Sequence, residues 1–377
     1  MPFEWSKVGA APAADVLEVS VMGPGFGESI VCHIGGNEWI IVDSCIEPKA
    51  KRPAPLLYLE AIGVNPASAV KLVLATHWDQ DHIRGLGEVV ETCVTAEFSC
   101  ANAFLKDEFQ YYIDEILIGN QDRGAKDIQQ AFQSVKKSGR IVKRATPGRA
   151  LLRRQAANQP SVVLWSLSPS DKEHDLFLQE IADVRPSAGE PMRQAIARTP
   201  NLASVVSLLV IDDCAVLLGA DMETKTDADR GWNAVIDEHA KLMLARAGLV
   251  KIPHHGSKGA HHDGMWNDLL ETATFAVIAP FGRGESKGRP PTDDDLQRIR
   301  ALASKLYVTA RHTTTKPPAR NPTVTRGLRE GNIQTRSLSK SLGLVRLRKA
   351  AGGEWQPELF GPAFEVQMPQ KIGLKPQ

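Results

Sequence analysis

Short apolar runs separated by turn residues occupy the first part of the chain, and their spacing predicts strands. Between Asp15 and Asp43 three such runs, VLEVSVM, SIVCHIGG and NEWIIVDSC, are joined by Gly-rich and Gly-Asn turns, which is typical of a β-meander. The run at 54–62, APLLYLEAI, has the pattern of a short amphipathic helix. The branched apolar run 71–75 predicts a buried strand, and this strand leads directly into a polar motif, THWDQDHIRGLG.

That motif holds four potential metal ligands within six residues: His77, Asp79, Asp81 and His82. A strand end followed by a turn lets alternate side chains converge on one point. Imidazole and carboxylate ligands suit zinc, manganese or iron, and a site without cysteine is more often catalytic than structural. The simpler interpretation is that Asp79 or Asp81 caps the following helix, but a cap needs one such residue and not four.

The sequence THWDQDHIRGL resembles the first metal-binding motif of the metallo-β-lactamase superfamily, His-x-His-x-Asp-His, with Asp79 in place of the second histidine. This variant is similar to the branch typified by the hydrolase domain of the ComEC competence protein. The resemblance covers about residues 15–310 and implies an α/β fold, the four-layer αββα sandwich, with one or two divalent ions in a cleft at one edge of the paired sheets. Zinc is the expected metal, and manganese is the alternative.

Further stretches follow in the order that the resemblance implies. Asp43, directly after the strand WIIV, stands where the superfamily has an aspartate that supports the ligands from behind. Asp221, in a Gly-Ala-Asp at a strand end, corresponds to the aspartate that bridges two ions, with capping of the next helix as the alternative. In PHHGS, His254 is the predicted ligand and His255 a substrate contact or proton donor, although these two roles can be exchanged.

Two residues of the ComEC-like pattern leave the number of ions open. Asn201 and Ser204 stand in a segment where other branches have a third metal-binding histidine. Either one metal position is weak or vacant, or Asp79 and a water complete it. Ser257, after the paired histidines, is predicted to present its hydroxyl to a phosphate oxygen.

The implied chemistry is hydrolysis by a metal-bound hydroxide, because bound divalent ions lower the pKa of a water toward neutrality. Asp81 is the best candidate to accept the proton of that water, so Asp81 and His255 are the predicted catalytic residues. The predicted substrate is a phosphodiester in nucleic acid or a nucleotide. One alternative is a small ester, thioester or lactam, and another is a metal-stabilised binding subunit without turnover.

The net charge of +1 conceals two basic stretches. Residues 136–154 carry eight lysines and arginines, within a region from Ile128 to Ser170 that has no acidic residue. A second basic stretch, 311–349, contains Glu330 as its single acidic residue. Such runs are often merely solvated faces. Here they favour DNA or RNA as a partner, because a positive patch attracts a polyanion and concentrates it near the cleft.

The chain is predicted to be one domain, 1–377, with a helical and basic insertion-like segment at 101–200 and a basic C-terminal extension at 311–377. Its five cysteines are odd in number and form no CxxC pair, which favours a reducing compartment. The N-terminus lacks the pattern of a signal peptide, and no apolar run is long enough to span a bilayer. We therefore expect a cytoplasmic protein that has no membrane contact.

Overall fold

Two eight-stranded sheets form the centre of the protein in the computed structural model, which describes residues 3–24, 27–119, 123–157, 159–183, 200–281, 289–311 and 342–367. The first sheet has the strand order β15-β14-β1-β2-β3-β4-β5-β6. Its strands are β1 Leu17–Gly23, β2 Ser29–His33, β3 Trp39–Val42, β4 Val70–Ala75, β5 Glu97–Ala101, β6 Val142–Ala145, β14 Gly343–Lys349 and β15 Gln356–Phe360.

The second sheet has the strand order β16-β13-β12-β11-β10-β9-β8-β7. Its strands are β7 Arg149–Arg154, β8 Val162–Ser166, β9 Ser207–Ile211, β10 Cys214–Leu218, β11 Ala247–Lys251, β12 Leu270–Ile278, β13 Lys305–Val308 and β16 Phe364–Glu365. The α-helices are α1 Ala54–Ala61, α2 Pro66–Ala69, α3 Gln80–Ile83, α4 Leu86–Thr92, α5 Asp107–Gly119, α6 Arg123–Lys137, α7 Asp171–Asp183, α8 Gly231–Lys241 and α9 Asp293–Leu302.

Strands of the second sheet are buried on both faces, and β10 shows how. Val216 and Leu218 belong to the larger core, which both sheets share, whereas Leu217 between them belongs to a second core that includes Trp232 and Val235 of α8. Because successive side chains of a strand point to opposite faces, this run of apolar residues is covered by a sheet on one side and a helix on the other. The helix–sheet–sheet–helix arrangement confirms the predicted four-layer α/β sandwich.

The segment 101–200, predicted to be helical, contains helices α5 to α7 but also strands β6, β7 and β8. Both β6 and β7 are edge strands, one in each sheet. Their sequences, VKRA and RALLRR, lack a clean apolar alternation because edge strands of native sheets are commonly protected by charged side chains. The described part of this segment therefore contributes an edge strand to each sheet, and residues 184–199 lie outside the described part of the chain.

The C-terminal region also enters the sandwich. Strand β14 pairs antiparallel with β1 over seven residues and with β15 on its other side. Arg346 of this strand is almost fully buried, and its guanidinium donates to the carboxylate of Glu358 and to the main-chain oxygen of Val8. Residues 343–349, assigned from the sequence to a basic extension, thus form an interior strand. Among the described residues, no helix combines the length and the apolar character needed to cross a membrane.

A buried polar cluster fastens β14 to β1. Glu18 is fully buried, and its carboxylate accepts hydrogen bonds from Tyr58 Oη at 2.5 Å and Ser20 Oγ at 2.9 Å. The guanidinium of Arg348 donates to the other oxygen of Glu18 at 2.8 Å. A buried carboxylate with this many partners stabilises the fold only while all of them are present.

We predict that Glu18→Ala lowers the free energy of unfolding by about 3–5 kcal/mol, because Arg348 loses its closest carboxylate and the buried hydroxyls of Tyr58 and Ser20 lose their acceptor. Glu60→Ala is the matched control. Glu60 pairs with Arg52 at 2.6 Å on the surface, and such an exposed pair contributes less than about 1 kcal/mol. Denaturant unfolding of both variants measures the difference. Equal losses in the two variants would contradict this account of the buried cluster.

Candidate metal centre

The carboxyl ends of strands from both sheets meet at one edge of the sandwich. Asp43 follows β3, His77 lies two residues beyond β4, and Asp221 lies three residues beyond β10. Asp81 and His82 come from α3, the short helix that follows His77, and His255 follows β11. Loops after parallel strands emerge at the same edge of a sheet, so residues far apart in the sequence converge there.

Left-handed backbone conformations aim several of these side chains. Asp43 has φ 58°, Ala220 before Asp221 has φ 44°, and His254 and His255 have φ 44° and 53°. Non-glycine residues rarely adopt such values, and a cluster of them is typical of a functional site. Each of these sharp turns ends a strand and redirects the chain, which brings the following side chain into the cleft.

Four buried polar atoms at this edge have no hydrogen-bond partner among the described residues: Nε2 of His77, Nε2 of His82, Nε2 of His255 and Oδ1 of Asp221. They converge on Asp221. Its carboxylate oxygens lie 3.4 Å from His82 Nε2, 3.5 Å from His255 Nε2 and 3.9 Å from His77 Nε2. Asp81 Oδ2 lies 3.3 Å from His255 Nε2.

These separations fit a bound cation. Ligands at about 2.1 Å from a tetrahedral zinc ion lie about 3.4 Å from one another. The distances that connect Asp81, His82, His255 and Asp221 are 3.3–3.5 Å, and buried imidazole nitrogens without partners are the atoms that such an ion would coordinate. The His77–Asp221 distance is longer, so His77 stands at the margin of this set. The residues present therefore fit a divalent metal ion.

The Nδ1 atoms of His82 and His255 form hydrogen bonds to other parts of the protein. His82 Nδ1 donates to Asp43 Oδ2 at 2.7 Å, and His255 Nδ1 donates to the main-chain oxygen of Ala279 at 2.9 Å. Asp43 also accepts hydrogen bonds from the amide and hydroxyl of Thr76. Hydrogen bonds of this kind fix the tautomer and leave Nε2 for a metal. Asp43 thus lies where the sequence predicts a supporting aspartate.

Sequence reasoning missed two buried charges in this cluster. Glu28, directly before β2, and Lys251, the last residue of β11, form an ion pair beside the candidate ligands. Glu28, His82 and His255 also form one of the groups whose ligand atoms lie close enough together for a metal, and Asp43, His77 and His82 form another. A lysine that ends the apolar strand LVK just before the paired histidines was the available signal, because an unpaired lysine is almost never fully buried.

Buried carboxylates set the protonation of the histidines. Burial and the neighbouring His82 lower the pKa of His77 to about 3. Burial also disfavours charge on His255, but the nearby carboxylates of Asp221 and Asp81 outweigh it and raise the pKa of His255 to about 10. Burial opposes charge on Asp221 as well, yet His255 and His82 hold the pKa of Asp221 well below its usual range. Taken together, these shifts describe an anionic pocket that attracts positive charge.

The paired histidines differ sharply in their placement. His255 is 1% exposed and lies within the cluster, whereas the side chain of His254 is 27% exposed and its Nδ1 lies 3.5 Å from Glu223 Oε1. The left-handed turn at both residues sends the two rings in different directions. The structure thus places His255, and not His254, among the buried candidate ligands, while the roles predicted for both stay predictions.

Other predicted residues lie around this centre. Asp79 is half-buried at the start of α3, where its carboxylate makes no helix cap. Asn201 donates to Glu223 Oε1 at 3.0 Å, and Ser204 is fully buried with a hydroxyl that has no partner among the described residues. Ser257 accepts a hydrogen bond from the amide of Gly259 and so caps the next turn. The roles predicted for these four residues stay predictions.

The comparisons with known proteins agree with this site. The family model of the metallo-beta-lactamase superfamily matches residues 22–114, which include Glu28, Asp43 and the whole motif from His77 to His82. This part of the chain is similar to the metallo-β-lactamase superfamily. Most members of this superfamily are metal-dependent hydrolases. Membership of the ComEC-like branch stays a prediction.

Several solved structures are similar to this chain at low sequence identity. The metallo-beta-lactamase fold protein YhfI from Bacillus subtilis is 13% identical with a TM-score of 0.38, and the alignment covers 78% of this chain and 95% of that one. The Rm3 metallo-beta-lactamase is 11% identical with a TM-score of 0.32, over 65% and 78% of the two chains. The hydrolase AbOPH is 13% identical with a TM-score of 0.33, over 62% and 83%. No curated protein matches the chain.

The different burial of His254 and His255 predicts different effects on metal binding. His255→Ala should weaken zinc binding by more than about 100-fold, because it removes a buried ligand, whereas His254→Ala should change it only a few-fold. Competition with a chromophoric chelator measures both affinities. His261→Ala is the control for a nearby half-buried histidine. Loss of zinc in His254→Ala with retention in His255→Ala would reverse the assignment.

Proposed function

We propose that the protein is a metal-dependent hydrolase that cleaves phosphodiester bonds in nucleic acid or nucleotides. The proposal of a metal-dependent hydrolase is supported by one observation: three imidazole nitrogens without hydrogen-bond partners converge on the Asp221 carboxylate. Asp81, His82, Asp221 and His255 would hold a divalent cation, which would supply Lewis-acid chemistry for activating a water and stabilising negative charge. Zinc fits this ligand set best, with manganese as the alternative.

Asp81 is the residue to which we assign the proton of the attacking water. Burial disfavours its charge, but the neighbouring imidazoles of His255 and His82 hold the pKa of Asp81 below its usual range, so its carboxylate is ionised. The Oδ2 atom faces His255, and we assign proton acceptance to Oδ1. His77 remains neutral because burial lowers its pKa, and its Nδ1 is held 2.9 Å from Thr76 Oγ1.

His254 stands at the mouth of the cleft and is our candidate for the leaving-group proton. Its Nδ1 faces Glu223, which also receives hydrogen bonds from Asn201 and Lys225. A carboxylate behind one ring nitrogen orients the imidazole so that the opposite nitrogen, Nε2, can donate. The partial exposure of the ring allows a bound substrate to reach it. The proton-donor role expected for His255 thus passes to its neighbour.

An anionic substrate is favoured by the exposed members of the first basic stretch. Arg144 lies level with the end of β4, because it pairs with Cys100, which pairs with Ala75. Two strand spacings separate it from β4, or about 10 Å. Arg149 is level with Leu218 at the end of β10, because Arg149 pairs with Ser166 across the sheet. Ser166 in turn pairs with Ser207, and Ser207 pairs with Leu218. Both arginines are exposed at the same edge of the sandwich as the metal centre.

Other basic residues of the two stretches are already used by the fold. Arg154 donates to main-chain oxygens of Ile34 and Gly35, and Arg140 donates to three main-chain oxygens at the end of α4. Arg348 pairs with the buried Glu18. A substrate contact is therefore best sought at Arg144 and Arg149; residues 312–341 of the second stretch lie outside the described part of the chain.

Cleavage of labelled single- and double-stranded DNA and RNA, with zinc, manganese and magnesium in turn, tests the proposal. We expect metal-dependent cutting, and Asp81→Ala should lower its rate at least about 100-fold while the protein remains folded, because both a ligand and the proton acceptor are lost. Full activity of Asp81→Ala would overturn the assignment of roles. Metal binding without cleavage of any phosphodiester would instead favour a small ester, thioester or lactam as substrate.

The same assay separates a polyanion from a small substrate. Nucleic-acid binding should weaken steeply as salt rises, since bound counterions are released. Arg149→Glu should raise KM, whereas Arg153→Glu is a matched control, because Arg153 is level with Ala215 at the opposite end of β10. Equal effects of the two substitutions would remove the patch from the proposal.

The assignment of His254 predicts a dependence on the leaving group. His254→Gln should lower kcat on nucleic acid by about 10²–10⁴-fold, because an alkoxide needs a proton to depart. On bis-p-nitrophenyl phosphate the loss should be under about 10-fold, since nitrophenolate departs without one. Zinc content, measured in parallel, should not change. Equal losses on both substrates would show that His254 does not protonate the leaving group.

A further inference from the structure

An ion pair between Glu28 and Lys251 lies directly behind the metal centre. Glu28 is 2% exposed and Lys251 is 1% exposed, and they come from opposite sheets. A buried ion pair often costs the fold more than it contributes, because two charges lose their hydration. Simple stabilisation therefore explains its presence poorly, and its surroundings indicate another role.

The carboxylate of Glu28 lies near the Nδ1 atoms of two histidines. Its Oε2 lies 3.4 Å from His255 Nδ1, and its Oε1 lies 3.8 Å from His82 Nδ1. Neither oxygen lies on the side of the rings that faces Asp221. The carboxylate therefore favours the tautomer with hydrogen on Nδ1 in both rings, which keeps both Nε2 atoms available to a cation.

Lys251 contacts the turn that carries Asp221. Its Nζ donates to the main-chain oxygen of Ala220 at 3.2 Å and lies 3.9 Å from Asp221 Oδ1. Ala220 has the left-handed conformation that redirects the chain into Asp221. The ammonium thus holds the turn that presents Asp221 and anchors Glu28 at the same time.

The loop that carries Glu28 is fitted closely to the metal motif. The amide of Glu28 donates to the main-chain oxygen of Asp81 at 2.8 Å. Gly27 has φ 122°, and a Cβ there would lie 1.8 Å from the same oxygen. This close approach fixes the distance between Glu28 and the helix that supplies Asp81 and His82.

We propose that Glu28 and Lys251 are a positioning pair that holds His82, His255 and Asp221 in their metal-binding arrangement. This inference rests on the proposed metal centre and does not depend on which substrate is cleaved. A pair with a purely structural role would change folding but not the affinity of the folded protein for zinc.

Two variants separate these roles. Glu28→Asp keeps a negative charge in the pocket but withdraws it by one methylene from both Nδ1 atoms. The double variant Glu28→Gln, Lys251→Met removes both charges together, which avoids leaving one of them buried and unpaired. Glu18→Gln, in the buried cluster between β1 and β14, is the matched control, because it perturbs a buried ion pair remote from the strand ends that carry the ligands.

Zinc affinity by chelator competition and the absorption spectrum of the cobalt-substituted protein are the readouts, with folding followed by circular dichroism. We expect both Glu28 variants to bind zinc about 10–100-fold more weakly and to alter the cobalt spectrum, while Glu18→Gln changes neither. A folded Glu28→Asp or double variant with wild-type affinity and spectrum would overturn the inference. Absence of zinc binding by the wild type would overturn both proposals, whereas tight zinc binding without phosphodiester cleavage would overturn only the proposed function.

Discussion

Four carboxylates lie nearly out of water at one edge of the sandwich, and the structure around them depends on compensating their charge. Glu28, Asp43, Asp81 and Asp221 are each less than 10% exposed. A buried carboxylate without a partner is costly, so each must face a hydrogen-bond donor or a cation. Thr76, Lys251 and the histidines supply part of this compensation, and a bound metal ion would supply the rest.

This constraint explains why the edge is built from sharply turned strand ends. Left-handed residues follow β3, β10 and β11, and they turn charged side chains away from the direction of the strands and into one cleft. Packing on both sides of the sheets holds these turns in place, since strands covered by apolar layers cannot shift without exposing their cores. The strain of the turns is thereby supported by the hydrophobic sandwich.

The side of the cleft proposed for the substrate is more exposed than the cluster of candidate metal ligands. His254 and Glu223 are partly exposed, and Arg144 and Arg149 lie at the same edge as the metal centre. Other arginines in the same stretches serve the fold by donating to main-chain oxygens or pairing with buried Glu18. The number of basic residues in a stretch therefore does not show how many of them form a basic surface. A guanidinium has several donors, so it can equally well hydrogen-bond a loop or cap a helix.

The sequence by itself determined the metal motif, the main strands and helices, and the four-layer fold, because ligand spacing and apolar periodicity are local properties. His77, Asp81 and His82 lie within one strand end and one helical turn, so their convergence follows from short-range geometry. Only the tertiary structure decided that His255 faces the ligands and that Glu28 meets Lys251. The first depends on backbone angles imposed by packing, and the second joins two sheets through residues far apart in the chain. Edge strands β6 and β7 also became evident only there, since their charged sequences carry no apolar alternation.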